Sequence, residues 1–154
     1  MPKRRVLVTS IFPLYLPFFG VRFFTLAKNL IGEFDFTFLI RGPLPERNRW
    51  LNDCNIVEVP PNVQIVEYLS WGGLIKRTIK LAKEHDILFP SKAFSVTGLL
   101  CFFVSRIMKK GFVQDADDYE SAAVKWYYFQ EKFSEFFLRK MAKYVSVAST
   151  ELLK

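Results

Sequence analysis

Apolar positions along the chain fall alternately into short unbroken runs and longer sets at helical spacing. Val6 to Thr9 is a β-branched and apolar run ending at Ser10, without polar alternation, which predicts a central strand covered on both faces. After Pro13, Pro17 and Gly20, the residues Phe23, Phe24, Ala27, Leu30 and Ile31 recur at helical spacing, with Gly32 where a helix C-terminal glycine belongs. Phe34, Phe36 and Phe38 alternate with Asp35 and Thr37, then Leu39 and Ile40 lead to Arg41 and Gly42, predicting a second strand. Past a loop to about Asn55, Ile56 to Val59 and Val63 to Leu69 flank the turn Pro60, Pro61, Asn62 and predict one or two strands, the first at an edge.

The second half repeats the alternation. Leu74, Ile75, Thr78, Ile79 and Ala82 share one predicted helix face, with Lys76, Arg77, Lys80 and Lys83 on a solvated opposite face. Strand Ile87 to Phe89, a buried helix from about Ala93 to Lys109, strand Phe112 to Gln114, a long helix from Ser121 to Lys143 and strand Tyr144 to Ala148 follow. Strands and helices alternating with connections too long for hairpins imply right-handed crossovers. The expected fold class is α/β, a doubly wound, mostly parallel Rossmann-like sheet with helices on both faces, formed by residues 1–154 as one domain. Ligands of such sheets bind beyond the carboxyl ends of the strands. Those ends carry Ser10 and the loop to Gly20, Arg41 with Gly42, Ser70 with Gly72 and Gly73, Ser91 with Lys92, Asp115 to Tyr119, and Ser149 with Thr150.

Composition narrows the chemistry. With 51% hydrophobic residues and 17 phenylalanines the chain is a folding, aromatic-rich one. The basic start Lys3, Arg4, Arg5 leads into a first strand, since Pro13 and Pro17 interrupt the apolar run that a secretory signal would need. Ala93 to Val104 is too short to span a bilayer. Two cysteines without short spacing and one histidine argue against a zinc site or a disulfide framework, and point to a reducing, cytoplasmic setting. A formal charge of +7 calls for an anionic partner: nucleotide phosphate, an acidic lipid surface or nucleic acid.

The segments VLVTSIFP, PFFGVRFFTLAKNL, DILFPSKAF, GFVQDADDYE and YVSVASTELLK, taken in order, resemble the N-terminal domain of GT-B glycosyltransferases, especially the large retaining family four, the group 1 glycosyltransferases. The resemblance implies half of an enzyme that moves a sugar from a nucleotide-sugar donor to an acceptor hydroxyl, on a glycan or a lipid-linked acceptor. It implies a C-terminal nucleotide-sugar domain outside these residues, no cofactor beyond the co-substrate, and little activity for this half alone. Family members commonly have two adjacent glycines in the first loop, where Gly20 is here followed by Val21. Many carry a histidine where this chain has Asp117, so a histidine-dependent mechanism does not transfer.

Three carboxylates within Asp115, Ala116, Asp117, Asp118 repel one another unless solvent, cations or donors relieve them. In the resembling family this turn faces the interdomain cleft, so Asp117 or Asp118 is expected to orient the acceptor or take its proton, against a reading in which Asp118 caps the next helix and Asp115 bonds to backbone amides. Asp115 with Asp117 also has D-x-D spacing, though no further metal ligand stands out and no metal is expected. Gly20 and Arg22 are candidate phosphate contacts at a helix start, and Lys92 and Asp115 candidate substrate contacts. His85, at a helix end beside Asp86, reads as a capping residue that benefits from positive charge there. The helix from Ser121 to Lys143, with Tyr127, Tyr128 and Leu138 beside lysines, is a candidate for peripheral binding to an anionic membrane. The alternatives are a stand-alone basic module binding nucleotide or nucleic acid, which lacks a recognisable nucleic-acid motif, and a different α/β enzyme complete in itself.

Overall fold

The computed structural model describes residues 2–11, 17–43, 59–91, 96–116 and 144–147. Six strands are present among them: β1 (Arg4–Thr9), β2 (Phe34–Arg41), β3 (Val63–Tyr68), β4 (Ile87–Pro90), β5 (Gly111–Ala116) and β6 (Tyr144–Val147). Three helices alternate with them: α1 (Pro17–Asn29), α2 (Trp71–Ala82) and α3 (Val96–Met108). The strands form a sheet of order β3-β2-β1-β4-β5-β6, and every adjacent pair is parallel. This is the doubly wound arrangement expected from the sequence. The chain runs outward from β1 in both directions, so the order reverses between β1 and β4.

Strand alternation divides the core in two. Val6, Val8, Phe36, Phe38 and Ile40 point to the face covered by Phe23, Phe24 and Ala27 of α1. Phe38 is fully buried there, with its ring centroid 6.2 Å from that of Phe23 and 5.3 Å from that of Phe24. Leu7, Leu39 and Leu88 point the other way, onto Leu74 and Ala82 of α2 and Cys101, Phe102 and Val104 of α3. The unbroken apolar run of β1 is thus explained by helices on both sides.

Several local expectations are corrected. α1 begins at Pro17, which suits the first helical position because it lacks an N–H, so Gly20 lies inside the first turn rather than before it. Gly32 has negative φ and open space around it, in a turn held by Glu33 N–H and Phe34 N–H donating to the Leu30 carbonyl. Gly72 and Gly73 belong to the first turn of α2, capped by Ser70, whose Oγ accepts from the Gly73 N–H at 3.1 Å. α2 buries Leu74, Thr78 and Ala82 and leaves Ile75 and Ile79 exposed, a narrower buried stripe than the apolar pattern predicts. α3 is buried on one face only: Val96, Phe103 and Ile107 are exposed. The predicted strand Ile56 to Val59 falls outside the described residues except for Val59, which is not in a strand. The predicted helix from Ser121 to Lys143 lies outside them altogether.

Candidate functional site

The carboxyl ends of β1 and β4 meet where the strand order reverses, and polar residues are built into that junction. Thr9, Ser10 and Ser91 are all buried. The Ser10 N–H donates to the Leu39 carbonyl at 3.0 Å and the Ser91 N–H to the Thr9 carbonyl at 2.9 Å, which carries the backbone pairing one residue past the strands. From β3 the Tyr68 hydroxyl crosses to the Ser10 carbonyl at 2.8 Å, tying three strand ends together. Burial raises the Tyr68 phenol above its ordinary value against the opposing pull of Arg41, so it stays a neutral donor. Thr9 Oγ1 lies 3.1 Å from Cys101 Sγ, on α3. Burial pushes the Cys101 thiol up to about 12, partly offset by that hydrogen bond, and a thiol so seldom ionised is no nucleophile.

Ser91 Oγ is one of three buried side-chain atoms without a hydrogen-bond partner among the described residues, with Asn62 Oδ1 and Thr78 Oγ1, and the one at this junction. It is fully buried and makes no hydrogen bond, although a buried hydroxyl normally has a partner. It sits at the end of β4, immediately before Lys92. Beside the junction, Ile11, Arg41, Tyr68, Leu69, Ser70 and Trp71 line a recess of about 50 Å³, and Arg41 is its exposed cation. Gly42 belongs to the same rim: its N–H donates to the Tyr68 carbonyl at 2.9 Å, and any Cβ would run into the Glu67 side chain.

Of the residues singled out from sequence, Gly20 and Arg22 lie on α1, which follows the carboxyl end of β1; Arg22 is half-buried. Asp115 lies within β5, opposite Ser146 of β6, because the strand runs two residues further than Gln114. Lys92, Asp117 and Asp118 fall outside the described residues. Sequence reasoning noted Ser10 and Ser91 only as strand-end residues. It gave no sign of the Tyr68–Ser10 or Thr9–Cys101 bonds, which join positions 58 and 92 residues apart.

A second, wider cavity of about 580 Å³ opens at the amino ends of the strands, with Arg5, Asp35, Asn62, Lys80, Glu84 and His85 in its wall. Its size does not make it the better site. Cations and carboxylates are mixed around it and its buried imidazole is already engaged, although Asn62 Oδ1 in the same wall is buried without a partner. His85 Nδ1 donates to the Leu81 carbonyl at 2.6 Å, and its Nε2 pairs with Thr37 Oγ1 at 2.8 Å. His85 therefore caps the end of α2, as expected, but as a neutral ring: burial lowers its pKa. Among the described residues no cluster of His, Cys, Asp and Glu could hold a metal ion, and no helix is long and apolar enough to cross a membrane.

No family model and no curated protein matches the chain. Solved structures do. A protein assigned as a UDP-N-acetylglucosamine 2-epimerase from Listeria monocytogenes aligns over 98% of this chain and 40% of its own, at 14% identity and a TM-score of 0.61. Phytolacca americana UGT2, solved with UDP-2-fluoro-glucose and pterostilbene, aligns over 77% of this chain and 31% of its own, at 13% identity and TM-score 0.52. The C-terminal domain of the coenzyme A biosynthesis bifunctional protein CoaBC aligns over 94% and 76%, at 13% identity and TM-score 0.55. The chain thus spans less than half the length of the first two. At such identities the likeness is one of fold: a Rossmann-like α/β domain of the kind that forms half of a GT-B protein.

Proposed function

We propose that this chain is the acceptor-side half of a glycosyltransferase that moves a sugar from a nucleotide-sugar donor to an acceptor hydroxyl. The observation that carries the reading is the reversal of strand order between β1 and β4, with Ser10 and the unpartnered Ser91 hydroxyl at the carboxyl ends where doubly wound sheets take their ligands. An acceptor hydroxyl or sugar is a natural partner for Ser91 Oγ, which can both donate and accept. Asp117 and Asp118 follow β5 directly in the sequence. In this reading one of them orients the acceptor hydroxyl or takes its proton as the new bond forms. Gly20, Arg22, Lys92 and Asp115 contribute substrate contacts. A C-terminal domain holds most of the nucleotide, which makes the isolated half inactive, and the fold likeness to a plant UGT2 solved with a UDP-sugar supports the donor class.

The test is transfer by the complete reading frame across a panel of sugar nucleotides and acceptors. Turnover with at least one pair is expected, with a steep loss in Asp117→Asn or Asp118→Asn; no transfer across a controlled panel overturns the reading. The match to most of the CoaBC C-terminal domain favours a second reading, an α/β enzyme complete in this chain. Activity of the 154-residue chain alone would select it.

A further inference from the structure

We infer that the outer surface of α2 and α3 is a docking face for an anionic phospholipid bilayer. The two helices lie on the same side of the sheet, sharing one buried cluster through Leu74, Ala82, Cys101, Phe102 and Val104. Their C-terminal ends touch, with Lys110 Nζ 3.4 Å from the Lys83 carbonyl. Apolar side chains on both helices are exposed: Ile75 and Ile79 beside the buried stripe of α2, Trp71 at its start next to the recess, and Val96, Phe103 (59% exposed) and Ile107 (79% exposed) on α3. Water alone does not favour so many exposed apolar side chains on two adjacent helices, and such a concentration marks an interaction site.

Charge identifies the occupant. Residues 71–83 carry Lys76, Arg77, Lys80 and Lys83, and residues 96–110 carry Arg106, Lys109 and Lys110, without a single carboxylate. These seven cations equal the whole excess of 22 Lys and Arg over 15 Asp and Glu in the chain. Summed over all other residues, 15 cations meet 15 carboxylates, whereas these two segments carry cations alone beside their exposed apolar side chains. The nearest carboxylates along the chain, Glu84 and Asp86, stand beyond the end of α2, and Asp86 accepts from the Arg5 N–H at 2.9 Å. A second copy of this face would bring like charges together. A nucleic acid would leave the aliphatic Ile75, Ile79 and Ile107 unused, since they cannot stack on bases. An acidic bilayer surface meets both needs, taking Trp, Phe and Ile side chains among its acyl chains while its phosphates neutralise the lysines. The inference does not depend on sugar transfer.

Flotation of the chain with phosphatidylcholine vesicles, with and without phosphatidylglycerol, tests it. Binding only to the phosphatidylglycerol vesicles, released by salt, is the expected result. Phe103→Ser with Ile107→Ser, and separately Lys76→Glu with Lys80→Glu, should each lower partitioning by about tenfold or more. All four side chains are exposed, so an unchanged thermal melt confirms that folding is intact. The inference is overturned if the chain stays in solution with acidic vesicles at low salt, if neither pair of substitutions changes binding, or if Phe103→Ser with Ile107→Ser instead dissolves a dimer seen by sedimentation.

Discussion

Replacing Thr37 with valine should destabilise the domain by about 1–3 kcal/mol, although it changes the shape of the core very little. Thr37 is 5% exposed and lies midway along β2, where its hydroxyl meets His85 Nε2 at 2.8 Å. The other ring nitrogen is committed, because a carbonyl only accepts and Nδ1 must donate to Leu81. In the neutral ring Nε2 is therefore an acceptor fed by the Thr37 hydroxyl, and Thr37→Val leaves it buried without a donor. In a domain of this size each kcal/mol corresponds to a melting shift of about 2–4 °C. Urea or thermal melts of Thr37→Val, His85→Leu and the double variant form a cycle, and the double variant should fall short of the summed single losses by at least about 0.5 kcal/mol. Strict additivity would refute the bond. The same ring sets a pH dependence. Burial lowers the folded-state pKa of His85, so below an unfolded value of about 6.5 the unfolded chain binds the extra proton. Stability should be complete above that pH and fall as the pH drops below it, towards the folded pKa, and His85→Leu should flatten this limb.

Three further outcomes follow from the geometry. Phe38→Ala removes a fully buried ring packed against Phe23 and Phe24 and should cost about 3–5 kcal/mol in denaturant melts. Ser70→Ala should cost about 1 kcal/mol through loss of the α2 cap, and Ser70→Asp should retain most of that stability. Ser91→Ala separates stability from function: the hydroxyl makes no bond in the fold, so melts should be unchanged or slightly raised, whereas transfer by the complete enzyme should fall by about tenfold, the scale of one lost hydrogen bond.

The sheet was readable from sequence because buried parallel strands leave a strong trace. The run Val6 to Thr9 has no polar alternation, which helices on both sides account for, whereas β2 shows itself by phenylalanines alternating with Asp35 and Thr37. Which face of each helix turns inward was harder to read. In α2 the apolar set 74, 75, 78, 79, 82 is wider than the stripe that reaches the sheet, and the polar Thr78 is buried while Ile75 and Ile79 are not. Hydrophobicity cannot tell burial against the sheet from burial against something else. α3 shows the same limit more strongly, for its apolar outer positions read as core. At the site, Ser10, Arg41, Ser70 and Ser91 stand at strand ends as the sequence reading has them, while Lys92, Asp117 to Tyr119, Ser149 and Thr150 lie outside the described residues. The links between them were hidden, since a Tyr68 hydroxyl reaching Ser10 or a Thr9 hydroxyl reaching Cys101 depends on strand order, not on spacing.

Backbone amide shifts of the complete polypeptide, recorded as nucleotide sugar and acceptor are added, test most directly which end of the sheet does the work. The proposed function predicts shifts at Thr9 to Ile11, Tyr68 to Gly73 and Ser91, with the opposite end quiet. Shifts confined to Asp35, Asn62 to Gln64 and Glu84 to His85 would contradict it and move the site to the cavity at the amino ends of the strands.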